Sequence, residues 1–145
     1  MHTRHLLEEE LSRSVIGAFY DVYNELGFGF REYIYALALE RELLSRGHRV
    51  AREVDVIVYY REEPLTWQTL DMIVDERLAL ELKAAEVLHP NSAQQLFSYL
   101  RSTELQVGLL LHFGRAAKFQ RVICENRFKR RLPAAKASAC PPVPE

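Results

Sequence analysis

The chain has 145 residues, of which 48% are hydrophobic and 27% charged, with a formal net charge of −1. That is the length of one domain with enough apolar material for a core. It has no apolar run of ~18 residues that would cross a bilayer. Two cysteines, Cys124 and Cys140, are too few for a disulfide framework or for a four-cysteine zinc or iron–sulfur site. The first ten residues carry no apolar stretch followed by a small-residue cleavage site, so the expected location is the reducing cytoplasm. The charge is unevenly spread. Eight basic residues lie between Arg115 and Lys136 against Glu125 alone, a stretch that suits phosphates or a solvated tail equally well.

Leu7, Leu11, Val15, Phe19, Val22 and Leu26 recur at steps of three and four, the apolar stripe of an amphipathic helix. Gly27 and Gly29 end it. A second helix is expected from about Arg31 to Arg46, with Tyr35, Leu39 and Leu43 on one face and Gly47 closing it. Val50 to Tyr60 alternates, with Val54, Val56 and Val58 against Asp55 and Ile57, as a strand does. Arg61 to Pro64 reads as a turn, Thr66 to Val74 as a second strand and Leu78 to Ala84 as a third. Pro90 suits the start of a helix carrying Ala93, Leu96, Phe97 and Leu100, to about Thr103. Gln106 to Phe113 is a continuous apolar run fit for a buried strand, broken at Gly114. Phe119 to Ile123 reads as a short strand or a helix turn.

The expected order is α-α-β-β-β-α-β. It implies an α/β (α+β) fold with a mixed four-stranded sheet flanked by helices. Residues 1–128 are read as a single domain. Residues 129–145, basic and rich in Pro and Ala, are read as a disordered tail.

In the third expected strand, Leu78, Leu80 and Leu82 share one face and Ala79, Glu81 and Lys83 the other. A carboxylate and an ammonium on a mainly apolar strand are costly to bury unless paired or bound to a metal. If the loop before this strand is Asp75 to Arg77, Val74 opposes Leu78 and Asp71 opposes Glu81. Opposed residues share a face with Cβ atoms ~4.5–5.5 Å apart. Two carboxylates so close call for a shared proton or a cation. A two-residue loop would instead put Asp71 on the other face and abolish the site. Two helical constellations accompany this pair: Gly29, Glu32 and Tyr35 at i, i+3, i+6, and Gln95 and Tyr99 at i, i+4. Singly, each also has a plain reading, as a helix-start acid or a core aromatic.

Together these residues resemble the GxxExxY protein family, a group of RecB-like proteins within the PD-(D/E)xK nuclease superfamily. The naming motif is matched by Gly29-Phe30-Arg31-Glu32-Tyr33-Ile34-Tyr35, and the acidic strand residue by Asp71. Glu81-Leu82-Lys83 matches the E-x-K, and Gln95 to Tyr99 the Q-x-x-x-Y. Gln106 to Gly114 resembles the last core strand and Lys118 to Ile123 the closing basic segment, so that the likeness runs from about residue 8 to about 126. The chain departs from the family pattern at Ser92 and His112, where members often carry His and Asn.

The resemblance implies a restriction-endonuclease-like core and a metal-dependent nuclease acting on nucleic acid, DNA first. Asp71, Glu81 and the backbone carbonyl of Leu82 are then metal ligands, with Glu32 ligating directly or through a water. Lys83 orients the attacking water or stabilises developing charge. Gln95, Tyr99 and Tyr35 steady the site or contact substrate, and Lys118 and Arg121 are basic contacts. Mg²⁺ is the expected ion, Mn²⁺ a substitute, and no iron–sulfur cluster is expected. The alternative is a catalytically silent nucleic-acid- or protein-binding scaffold on the same fold, or an accessory subunit of a DNA-processing complex. A homodimer is compatible with either.

Overall fold

The apolar stripes fix the layering. We describe a computed structural model of residues 7–126 and Lys129. On α1 (Glu9–Leu26) the stripe Leu11, Val15, Phe19 and Val22 is buried, and on α2 (Glu32–Ser45) it is Tyr35, Leu39 and Leu43. Both helices cover one face of a five-stranded sheet. Its strands are β1 (Val50–Tyr60), β2 (Glu63–Val74), β3 (Leu78–Lys83), β4 (Val107–Phe113) and β5 (Ala117–Ile123), side by side in that order. The other face carries α3 (Ser92–Arg101).

The period-two rhythm of the central strands divides the core. Leu78, Leu80 and Leu82 of β3, with Leu109 and Leu111 of β4, pack against α1 and α2. Ala79 and Leu110 face α3 and its Leu96, Tyr99 and Leu100. Each fully buried Leu adds about 1.5–3 kcal/mol, which anchors β3 and so the residues between its leucines. All seven residues of β4 are buried, as a continuous apolar run in mid-sheet requires.

The strands β1, β2 and β3 form an antiparallel meander, α3 crosses over so that β4 runs parallel to β3, and β5 returns antiparallel. The sheet therefore has five strands rather than the four expected. In β5 exposed polar residues mask the alternation, yet all seven of its residues pair with β4. The second strand starts at Glu63, not Thr66. The β1–β2 turn is only Arg61 and Glu62, both at positive φ (50° and 66°), and Pro64 already pairs with Tyr59 where the register shifts.

The turn between β2 and β3 is Asp75-Glu76-Arg77. Asp75 and Glu76 have φ of 53° and 59°, and the Arg77 N–H donates to the Val74 carbonyl at 3.0 Å. Val74 consequently pairs with Leu78 and Met72 with Leu80. Of the expected tail, only Lys129 belongs to the described residues. Its ammonium donates to the carbonyls of Leu100 and Leu105, and burial lowers its pKa.

Candidate active site

The β2–β3 ladder ends at Met72↔Leu80. One step beyond, side chains replace the backbone as partners. The Asp71 N–H donates to Glu81 Oε1 at 3.2 Å, and the Leu82 N–H donates to Asp71 Oδ2 at 2.7 Å. The two carboxylates thus stand at the mouth of a parting strand pair, each held by the opposite strand. Lys83, two residues along β3 from Glu81 and on the same face, puts its Nζ 3.9 Å from Glu81 Oε2.

Burial divides these groups. The Glu81 side chain is 6% exposed and that of Lys83 32%. Desolvation, followed by the charge of Asp71, pushes the Glu81 carboxyl up to about 7. Desolvation also raises Asp71, against the Leu82 N–H and Lys83, which lower it. Glu32, the first residue of α2, brings a third carboxylate. Burial and Asp71 raise its pKa, while Lys83 and a hydrogen bond from the Ala84 N–H lower it. Carboxyls raised chiefly by burial hold their protons more tightly, and a bound cation would favour their ionised form instead.

The donors are oxygens, the set a hard cation prefers. Among the described residues no three His, Cys, Asp or Glu side chains converge at metal-holding distances. Two carboxylates, completed by backbone, water and substrate oxygens, nonetheless suit Mg²⁺, which seldom takes an all-protein cage. In chemistry the residues present fit such an ion.

The remaining residues separate. Tyr99 is buried on α3, and its hydroxyl donates to the Thr69 carbonyl of β2 at 3.3 Å, close to the parting strands. Gln95 is exposed on the same helix and lines an adjoining cleft with Lys83. Lys118 pairs with His112, which pairs with Lys83, so that all three share the site face.

One expectation is corrected, that of Arg121, and Tyr35 keeps the supporting half of its own, being fully buried. Its hydroxyl donates to the Gly27 carbonyl at 2.5 Å and accepts the Phe30 N–H at 3.2 Å, so it braces the loop leading to Glu32. Arg121 pairs with Leu109 and therefore points to the α1–α2 face, where it donates to the Leu7 carbonyl.

Sequence reasoning gave no role to two residues. Glu53 lies between the pairs Arg52↔Met72 and Val54↔Leu70, at φ 52°, and its charge raises the Asp71 carboxyl. The alternation of β1 concealed this irregularity. His112 is buried and donates from Nε2 to the Ala85 carbonyl at 2.6 Å, pinning the chain just beyond Lys83. An imidazole in the middle of an apolar run was the available signal.

A profile of the PD-(D/E)XK nuclease superfamily matches residues 9–123. The chain belongs to the PD-(D/E)XK nuclease superfamily. The match takes in every element from α1 to β5. The crystal structure of SSO0001 is similar in fold, with a TM-score of 0.51 and 18% identity, over 80% of this chain and 58% of that one. This superfamily member thus spans less than two thirds of the SSO0001 chain, and the likeness concerns the fold alone. A search of the curated proteins returns no match. Among the described residues no helix is long and apolar enough to cross a membrane.

Proposed function

We propose that this protein is a divalent-cation-dependent nuclease of the RecB-like, GxxExxY kind, hydrolysing phosphodiester bonds of nucleic acid, DNA first, at Asp71, Glu81 and Lys83. The observation that carries the reading is the reciprocal hold of Asp71 and Glu81 at the end of the β2–β3 ladder, with the Lys83 ammonium beside them. Nuclease-superfamily membership supports the reaction class.

Asp71 and Glu81, with the Leu82 carbonyl, would hold Mg²⁺ or Mn²⁺, and Glu32 would complete the set directly or through water. When bound, the ion supplies charge neutralisation on the phosphate and acidification of a water. The protein's own residues do the rest. The Leu82 N–H and the Asp71 N–H fix the two carboxylates in place before substrate arrives, so no reorganisation is needed at the moment of reaction. Without the ion Glu81 is raised to about 7, and a bound cation would favour its ionised form and bring it back down. Lys83 holds the incoming water or balances the charge that develops on the phosphate oxygens. Tyr99 secures β2 at the parting point through the Thr69 carbonyl. Lys118, exposed on the same face, meets the phosphate backbone.

The test is cleavage of labelled single- and double-stranded DNA and RNA with Mg²⁺ or Mn²⁺, comparing wild type with Lys83→Ala. Chelator-sensitive cleavage by wild type alone is the expected result. A folded wild type that binds no divalent ion and cuts nothing would establish the scaffold reading instead. Metal binding without cleavage would point to a missing partner subunit.

A further inference from the structure

Lys83 belongs to two neighbourhoods. Besides its contact with Glu81, it lines a cleft of about 680 Å³ whose walls are the loop after β3 and the first turns of α3. That volume falls within the ~300–1,000 Å³ of small-ligand sites. The lining is chemically selective. Among the described residues Lys83 is its only Lys, Arg, Asp or Glu, and the other polar groups include the amides of Asn91, Gln94 and Gln95, the His89 ring and the Ser98 hydroxyl. His89 Nδ1 accepts the Asn91 N–H at 3.1 Å, so the ring is neutral while that bond is made and Nε2–H is its free donor. Val87, 78% exposed, adds an apolar surface beside these groups.

Amides that both donate and accept, a neutral imidazole and an exposed aliphatic wall together suit a flat, uncharged ring with donors and acceptors on its edge. An ammonium next to it suits the phosphate that the sugar of such a base carries. We propose that this cleft is a subsite for one unpaired nucleobase next to the scissile phosphate. The substrate is then a strand that is single or locally opened at the cut. The inference rests on the nuclease reading of Asp71, Glu81 and Lys83.

An unpaired base is favoured over a paired one by shape. Base edges within a duplex are read by elements that protrude into a groove. Here the reading groups line a concavity, which a base reaches only after leaving the stack. The rim is also fixed in advance. His112 holds the Ala85 carbonyl at 2.6 Å, and the Ser92 N–H donates to the His89 carbonyl at 3.1 Å. A preformed rim reduces the ordering cost of binding.

The experiment uses the full chain carrying Asp71→Asn, to silence cleavage, and short DNA single strands with one fluorescent purine analogue at successive positions, plus the matching duplexes. Three proteins are compared: this background, the background with Ser98→Trp, and the background with Asn91→Ala and Gln94→Ala. Ser98 is an exposed helix position whose hydroxyl bonds only its own helix, at the Gln94 carbonyl, so the tryptophan fills the cleft without disturbing the core. Cleavage of the same strands by the Asp71 protein is measured alongside.

The expected result is a fluorescence change at one position of the single strand and none in the duplex. Both cleft variants should lose that signal and bind the single strand about tenfold more weakly, as expected for a lost base contact. A strand abasic at that position should bind the background protein equally weakly. Cleavage with no reporting position, and equal binding by all three proteins, overturns the subsite and leaves the nuclease. Position-specific binding, with an Asp71 protein that neither cleaves nor binds a divalent ion, overturns the nuclease reading and keeps a base-binding cleft. No binding to any strand and no cleavage by the Asp71 protein overturns both.

Discussion

Asp71 and Glu81 each hold the other's strand: the Glu81 carboxylate takes the Asp71 N–H, and the Asp71 carboxylate takes the Leu82 N–H from β3. The arrangement fixes two negative charges in a half-buried place, and it makes folding pH-dependent. Glu81 rises from 4.5 to about 7 through desolvation and then Asp71, and Asp71 and Glu32 are raised too. A carboxyl raised in the folded state binds more protons folded than unfolded across that interval. Its contribution is therefore fully present below the unfolded pKa and is lost as pH rises through the folded one. The interval from 4.5 to about 7 for Glu81 corresponds to on the order of 3 kcal/mol. Urea unfolding in chelator should show higher stability at pH 5 than at pH 8, and Glu81→Gln should flatten the difference. Millimolar Mg²⁺ should restore stability at pH 8 by binding the ionised pair. A metal-free protein as stable at pH 8 as at pH 5 would contradict this account.

Lys83 is the cation beside the pair, 3.9 Å from Glu81 Oε2 and a third exposed. If it balances charge on the phosphate oxygens, Lys83→Ala should lower the cleavage rate by about 10²–10³ while leaving substrate affinity little changed. Far-UV circular dichroism and the melting midpoint should stay near wild type, because the Lys83 side chain is partly exposed to water. Cleavage by Lys83→Ala at the wild-type rate would remove this residue from the mechanism.

The elements most legible in the sequence are those whose burial follows a simple period. Tyr35, Leu39 and Leu43 are the buried face of α2, and the Val50 to Tyr60 alternation is a strand of those bounds. The opposition of Asp71 and Glu81 depended on a three-residue turn, and the positive φ of Asp75 and Glu76 that builds it falls on residues with no glycine to announce it. The fifth strand stayed open between a strand and a helix turn because an edge strand buries little: in β5 only Val122 is buried. Arg121 was misplaced for the same reason, since its facing follows from pairing with Leu109, a tertiary fact. Glu53 was invisible because a period-two reading of β1 passes over a local irregularity.

Tyr35 links the helical layer to the site without touching it. Fully buried and stacked on Phe113 at 4.2 Å between centroids, it bonds both the Gly27 carbonyl and the Phe30 N–H. Tyr35→Phe keeps the stacking and leaves those two groups without their partner, a loss of about 1–3 kcal/mol. The melting midpoint should fall by roughly 2–4 °C per kcal/mol. Since the braced loop leads directly into Glu32, cleavage should also need more Mg²⁺ for half-maximal rate. A variant with wild-type melting and wild-type Mg²⁺ dependence would show that the brace is dispensable.

Ser14, His48 and Asp75 form a chain with 2.7 Å from the Ser14 hydroxyl to His48 Nε2 and 2.7 Å from His48 Nδ1 to Asp75 Oδ2. With Asp75 ionised, Nδ1 carries the proton and Nε2 accepts from Ser14, the connectivity of a hydrolase triad. Its place in the fold argues otherwise. Ser14 is in the middle of α1, where neighbouring N–H groups are spent within the helix and none is left to receive an oxyanion. What the chain does is join α1, the start of β1 and the β2–β3 turn. Asp75 Oδ1 also takes the Arg49 N–H at 2.8 Å. Burial alone would raise the Asp75 carboxyl, but the Arg49 N–H and His48 outweigh it and the net direction is down. The stability it confers is thus present above the ordinary aspartate range and is lost as pH falls through the folded pKa. Asp75→Ala should cost about 1–3 kcal/mol at neutral pH, read from the urea midpoint, and should reduce acid sensitivity. It should also impair cleavage, because the turn it holds sets Asp71 against Glu81. Ser14→Ala should cleave nucleic acid normally, and a fluorophosphonate probe should leave the wild type unlabelled. Labelling abolished by Ser14→Ala would instead make this chain a second active centre.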